Sequence, residues 1–506
     1  MPRLRPACFS RSRSSAVTLA SATLLLATLA LTALALSPRE ASAQLRSRAD
    51  SALVVRILLA EDRRDSTDAA LPQGARHADV RIKTLALRAR GRIVDAKFVA
   101  RAALPPLAAS PVWPEPAWRL RFRALPAQRD DCAAMRSALA DGSWMVRMRA
   151  SDLLRASCAG ESAIRETLIA WVDQLRAHTR ARAAGTVSWQ GAAHAVVALA
   201  RLYPADAAPR VARLATHATW GVRQYAARAA GLLSDTARLR ALAHDVNDNV
   251  AETAIEQLGR LSGHADDAIF IAALERGGAQ VVKTAATALK GSTHPDAPTA
   301  ARAAFERLVA RDNASERDAR IALLAVVGLG PEADRAPSTR LTLEIAERSD
   351  AVALALGADI RLRVTMDANA GGGAFIVRLR GDAAPLMAAR ILALARRGYY
   401  DGLTWHRVEH DFVIQGGSPG ANEYVGADRY LRDELGGVSH LRGTVGMSTR
   451  GHDTGDAQWF VNLRDNARLD LDYTVWAEVV DGIEVVDSVL EGDRIARIVV
   501  VRPGRR

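Results

Sequence analysis

Apolar residues recur at spacings of three and four through residues 48–345, the period of a helix with one buried face; most are Ala, Leu and Val, with Arg on the other side. One unit returns: a small polar turn, then Val-Arg or its equivalent, then Ala and Leu at helical spacing. It reads Val80-Arg81-Ile82-Lys83-Thr84-Leu85-Ala86-Leu87, Val146-Arg147-Met148-Arg149-Ala150-Ser151-Asp152-Leu153-Leu154 and Val222-Arg223-Gln224-Tyr225-Ala226-Ala227-Arg228-Ala229-Ala230-Gly231. Weaker copies start at Val250, Val281 and near Ala319. These offsets predict helix pairs stacked as a solenoid, because one pair cannot bury its apolar face without its neighbours; an irregular helical bundle is the alternative. Pro105, Pro106, Pro111, Pro114, Pro116 and Pro126 interrupt the pattern. Proline breaks a helix interior, so 105–126 is expected to separate a first helical block from the rest.

From residue 359 the period changes to two. Ile360 to Met366 and Ala374 to Leu379 alternate apolar and polar residues around Gly371-Gly372-Gly373, which predicts a strand hairpin, and a helix is expected from Pro385 to Arg397. Residues 359–506 hold 11 of the 24 aromatics and 19 of the 35 glycines, so this end is a β-rich domain with many turns. Residues 346–358 are the expected junction, and a fragment beginning near Ala358 is expected to fold alone. The helical units resemble HEAT repeats in a short bacterial form.

The N-terminus has a different character. Arg3, Arg5, Arg11 and Arg13 precede an uncharged apolar run from Ala16 to Leu36, and Ala41-Ser42-Ala43 offers small residues at a cleavage point, so residues 1–43 read as an export signal cut before Gln44. A retained anchor is the alternative, since the run is long enough to cross a bilayer. Export, most simply to a periplasm, would place the chain where disulfides persist. Net charge is +12, yet 68 basic residues are interleaved with 56 acidic ones, which argues against a nucleic-acid surface. Cys8, Cys132 and Cys158 contain no CxxC pair, so a zinc knuckle or thioredoxin-like chemistry is not expected. Cys132 opens one expected helix, 131–140, and Cys158 ends the next, 145–158, with Asp141-Gly142-Ser143 between them. Antiparallel packing would join the two cysteines in a disulfide; two buried free thiols are the alternative.

Chemistry concentrates after the helix at 385–397. The motifs run Gly398-Tyr399-Tyr400-Asp401-Gly402-Leu403-Thr404-Trp405-His406-Arg407-Val408, Asp411-Phe412-Val413-Ile414-Gln415-Gly416-Gly417, Arg442-Gly443-Thr444-Val445-Gly446-Met447-Ser448, Gln458-Trp459-Phe460-Val461-Asn462, Leu469-Asp470 and Tyr473-Thr474-Val475-Trp476-Ala477. In order and spacing this region resembles the cyclophilin family of peptidyl-prolyl cis/trans isomerases. The resemblance implies a closed eight-stranded β-barrel capped by two helices, so the whole chain is expected to be an N-terminal all-α HEAT-like solenoid followed by that barrel. It also implies roles for Arg407, Gln415 and Phe460 in catalysis and for Phe412, Val413 and Leu469 in the proline pocket, with Ser448, Thr449 and Tyr473 beside the substrate.

The residues themselves suit this chemistry. Rotation about an X-Pro bond faces a barrier of about 18–20 kcal/mol because the amide is conjugated. No bond has to break, so a catalyst needs one fixed donor aimed at the twisted amide and a dry apolar pocket. Arg407 is such a donor, Phe412 and Phe460 are walls, Leu469 can close the floor, and Gln415 can orient the guanidinium. No cofactor or metal is implied: His406, Glu409 and His410 lack the His-Glu-x-x-His order on a helix that a zinc site of that type needs. Ser418 and Ser448 have no adjoining His and Asp, and the triple glycine has no following Lys-Ser or Lys-Thr.

Several positions depart from the family pattern. Val413 stands where most members have Met, Trp459 where Phe is common, and Ser448-Thr449 where Ala-Asn or Ala-Arg is common. Tyr473 replaces a histidine of eukaryotic members, and Arg468 stands where they have a tryptophan; the Arg468 position predicts weakened binding of cyclosporin-type inhibitors and little effect on isomerisation. The expected function is an exported isomerase acting on proline-containing unfolded or flexible polypeptides, with the helical surface taking clients or an envelope partner. The alternative is a cyclophilin-like peptide-binding scaffold without turnover.

Overall fold

A computed structural model describes residues 38–95, 109–175, 189–334, 345–427 and 429–501. The expected export signal lies outside the described residues except for its last six, which begin the helix Pro38–Arg63. Among the described residues no helix is long and apolar enough to cross a membrane.

Each recurring unit of the sequence is a helix. Trp144–Leu153 packs on Trp189–Leu202, and Trp220–Leu232, Asp248–Ser262, Ala279–Ala288 and Arg317–Val326 follow in turn, each against the one before. A second layer is formed by Cys132–Leu139, Ser162–Gln174, Pro204–Leu214, Thr236–Leu242, Asp267–Ala273 and Ala297–Ala310. Alanines buried along the first layer, among them Ala192, Ala195, Ala226, Ala254 and Ala285, let the axes approach closely. Indoles set the spacing at one end. Trp144 lies over Gly191, where a Cβ would come within 2.7 Å of the ring, and Trp189 lies over Gly221 at the same separation.

Arg–Asp pairs tie neighbouring turns together. Arg165 holds Asp206, Arg223 holds Asp245, Arg240 holds Asp266 and Arg276 holds Asp248. These four arginines are each matched locally by a carboxylate.

Two expectations about this region are corrected. Pro126 sits inside the helix Ala117–Gln128, near its end, where the missing N–H removes a single backbone bond; residues 105–108 of the proline-rich stretch lie outside the described residues. The helix expected over 145–158 ends at Leu153, because Leu154 turns to ψ 137° to bury its side chain, and Cys158 arrives on the short turn Ala156–Cys158. That return brings its Cα to 5.4 Å from that of Cys132, and the two sulfurs are bonded. The loop so closed spans 26 positions, which by chain-entropy reasoning stabilises the fold by roughly 3 kcal/mol. Denaturant melts with and without reductant are expected to differ by about that amount; coincident melts would show that the bridge adds nothing.

The C-terminal strands form one antiparallel sheet: β1 Arg361–Met366, β2 Ala374–Leu379, β3 Arg407–Val408, β4 Val413–Gly416, β5 Thr444–Met447, β6 Trp459–Asn462, β7 Val475–Asp481 and β8 Ile495–Val501. Their order is β3-β4-β6-β5-β7-β2-β1-β8. Just ahead of β3, the N–H of Trp405 bonds to the Asp493 carbonyl, and its own carbonyl accepts from Gly492, beside the start of β8. Trp405, Trp459 and Trp476 fill the interior edge to face, with centroids 4.8 and 5.8 Å apart for successive pairs. The helix Pro385–Arg396 covers one side of the sheet.

Residues 346–358, the expected junction, are largely helical. The helix Ile345–Ala355 packs on Pro385–Arg396, and Glu347 is fully buried where it accepts from Arg390 and Arg429. Val54–Arg506 consequently forms one compact unit. Arg119, with no exposed surface, donates to the Leu463 and His410 carbonyls at 2.7 and 3.1 Å and to Asp487 at 2.9 Å. Arg92 reaches the Leu435 and Ala383 carbonyls, and Trp113 fills the space over Gly443. Met145 and Met148 pack with Leu490. A fragment starting near Ala358 would leave all of these surfaces uncovered.

Candidate active site

Register builds the site as one row across four strands. Arg407 on β3 stands opposite Gln415 on β4, Gln415 opposite Phe460 on β6, and Phe460 opposite Gly446 on β5. Residues directly opposite share a face, so these side chains project together. The row closes on a glycine for a steric reason: a Cβ on Gly446 would lie 2.3 Å from the Phe460 ring.

Around this row is a cavity of about 340 Å³ lined by Arg407, Phe412, Val413, Gln415, Ser448, Thr449, Phe460, Leu469 and Tyr473, together with Glu409, Glu423, Arg450 and Arg468. All nine site residues expected from the sequence are brought together here. Phe460, Val413 and Gln415 are buried, whereas the Arg407 side chain keeps 38% of its surface open to an incoming peptide.

The guanidinium is held from several directions. Arg407 donates to Gln415 Oε1 at 3.2 Å and to Glu409 Oε1 at 3.0 Å, with Glu423 3.6 Å away. Gln415 is held in turn, donating to Ser448 Oγ at 2.9 Å and to Gln458 Oε1 at 3.2 Å. The Phe412 ring has Arg407 at 5.8 Å and Arg468 at 4.3 Å. Phe460 stacks on His440 and meets Tyr473 edge to face. Burial pulls the His440 pKa down against the bond to the Tyr473 carbonyl, so an uncharged ring backs the pocket wall.

Glu409, Glu423, Gln458 and His440 did not emerge from the sequence as site residues. Glu409 had a readable signal, an opposite charge two positions after Arg407, which alternation places on the same face. Gln458 opens the motif that carries Phe460 but was given no role there, and Glu423 and His440 had no signal, since each reaches the site from a loop. The three residues weighed as metal ligands point to different places: Glu409 faces Arg407, while His410 packs against Trp118 and Phe122. His406 is buried, and desolvation lowers its pKa to about 4.

The model for "Cyclophilin type peptidyl-prolyl cis-trans isomerase/CLD" matches residues 363–502. A peptidyl-prolyl cis-trans isomerase of Helicobacter pylori is 34% identical over 120 residues, covering 23% of this chain and 74% of that protein. This chain belongs to the cyclophilin-type peptidyl-prolyl cis-trans isomerases. Peptidyl-prolyl cis-trans isomerase B of Escherichia coli is 33% identical over 128 residues, 23% of this chain and 78% of its own. A solved cyclophilin-type isomerase of Cryptosporidium parvum aligns with 29% of this chain at 22% identity and a TM-score of 0.27.

In this cyclophilin domain Phe412, Val413, Phe460 and Leu469 present apolar surface to the same cavity in which the Arg407 guanidinium is held. The Phe460 ring lines the cavity, so Phe460→Ala is expected to raise KM by about tenfold or more, in line with losing a buried aromatic contact of about 1.5–3 kcal/mol, while kcat changes less. Progress curves over a range of prolyl-peptide concentrations separate the two; a fall confined to kcat would contradict the wall.

Proposed function

We propose that this cyclophilin is an exported folding catalyst whose helical array, a HEAT-like solenoid beside a closed barrel, presents a surface for unfolded clients or an envelope partner. The observation that carries the catalytic reading is Arg407 held by Gln415 and Glu409 in a cavity that also presents the apolar side chains of Phe412, Val413, Phe460 and Leu469. A scaffold needs the pocket but has no use for an oriented donor. Proline-containing flexible polypeptides suit the pocket because the ring is apolar and its amide nitrogen has no hydrogen to satisfy. The Arg-rich start, the apolar run and Ala41-Ser42-Ala43 support export, and the Cys132–Cys158 bridge suits an oxidising compartment. The backbone bonds of Trp405 beside β8 support barrel closure.

Isomerisation of a prolyl peptide by the full chain tests the reading. Catalysed exchange is expected; binding of the peptide without acceleration would leave the scaffold alternative in its place.

A further inference from the structure

Hydrogen bonds joined by the loop backbone at 420–422 link the helical array to Arg407. Asn249, in the helix Asp248–Ser262, is only 4% exposed. Its side-chain N–H groups donate to the carbonyls of Gly420 and Ala421 at 3.0 and 3.3 Å, and its Oδ1 accepts from Asn422 at 3.3 Å. Gln458 Nε2 donates to the Asn422 carbonyl at 3.0 Å and to the Val425 carbonyl at 2.9 Å. Gln458 Oε1 accepts from Gln415, and Gln415 Oε1 accepts from Arg407.

The clamped loop has a conformation that needs support. Ala421 takes a φ of 50°, the left-handed region that a residue with a Cβ rarely occupies unless its surroundings hold it there. Further along the same loop Lys283 donates to the Tyr424 hydroxyl at 3.2 Å and Ser315 to its carbonyl at 3.2 Å. Arg450, a cavity residue, stacks 3.9 Å from the centre of the Tyr424 ring and pairs with Asp318 of the array.

We propose that Asn249 is a positioning residue for isomerisation: by fixing the carbonyls at 420–422 it sets Gln458, which sets Gln415, which sets the Arg407 guanidinium. The helical array is on this view a working part of the active site as well as a surface. The proposal rests on Arg407 carrying catalysis, which Arg407→Ala tests separately.

Full-length Asn249→Ala is expected to lower kcat about tenfold, short of the roughly hundredfold cost of a one-ångström misplacement, with KM within about twofold of wild type. In a Gln458→Leu background, where the series is already cut, adding Asn249→Ala should have little further effect on kcat, because two breaks in one series do not add. Should Asn249→Ala fail to fold, Asn249→Asp keeps the side-chain size, removes the donor and carries the same comparison. A folded Asn249 variant with kcat within about twofold of wild type would overturn the proposal. So would an equal fall in both backgrounds, which would mean that Asn249 acts on general stability and not through Gln458.

Discussion

Replacing Arg407 by Ala is expected to lower turnover by about two orders of magnitude, the scale of losing one donor aimed at developing charge, with the fold intact. The side chain is partly open to solvent and packs no core, so circular dichroism and the melting midpoint should barely move. Arg407→Lys is the sharper comparison. An ammonium keeps the charge but cannot meet Gln415 and Glu409 with a planar fork, so its orientation is lost and only part of the rate should return. Wild-type turnover in a folded Arg407→Ala protein would remove the donor from the mechanism and favour a peptide-binding scaffold.

Asp487→Ala is expected to be the most destabilising single change, by about 3–5 kcal/mol in a denaturant titration, because it leaves two buried guanidiniums without a counter-charge. Arg119 donates to Asp487 Oδ1 at 2.9 Å, and Arg442 donates to the two oxygens at 2.9 and 2.6 Å. Both arginines are almost wholly enclosed, at 0% and 5% exposure, so water cannot replace the lost carboxylate. Asp487→Asn keeps an acceptor and the shape, and should lose less. A cost below about 1 kcal/mol for Asp487→Ala would show that the pair is as weak as an exposed one.

This triad is also one of the contacts that join the helical and strand-rich parts of the unit Val54–Arg506. Arg119 comes from the helical side, whereas Arg442 and Asp487 come from the region of the sheet, and nothing in the local sequence of any of them marks the meeting. Charged residues at helical spacing read as a solvated face. Burial shows only when distant segments are superposed.

Local pattern was enough for the elements. The recurring Val-Arg units start helices at Val80, Trp144, Trp220, Asp248, Ala279 and Arg317, give or take two residues, because helical periodicity is a property of neighbours in sequence. The hairpin of β1 and β2 followed from alternation and the glycine turn in the same way. The nine expected residues came from a different source, motifs that match a known family in order and spacing; register brings Arg407, Val413, Gln415 and Phe460 to one cavity, and the segments between strands bring the other five.

Local sequence pattern therefore predicted the helical periodicity and the strand-rich end, and left open whether the helices form a solenoid or a bundle and whether Cys132 and Cys158 are bridged or free. Three features depend on the folded chain: the break at Leu154, the packing of Ile345–Ala355 and the meeting of Asn249 with the loop at 420–422. The division has one physical cause. Periodicity and turns arise from interactions a few residues apart, whereas Asn249 and Gly420 are separated by 171 positions and meet only once every element between them has folded.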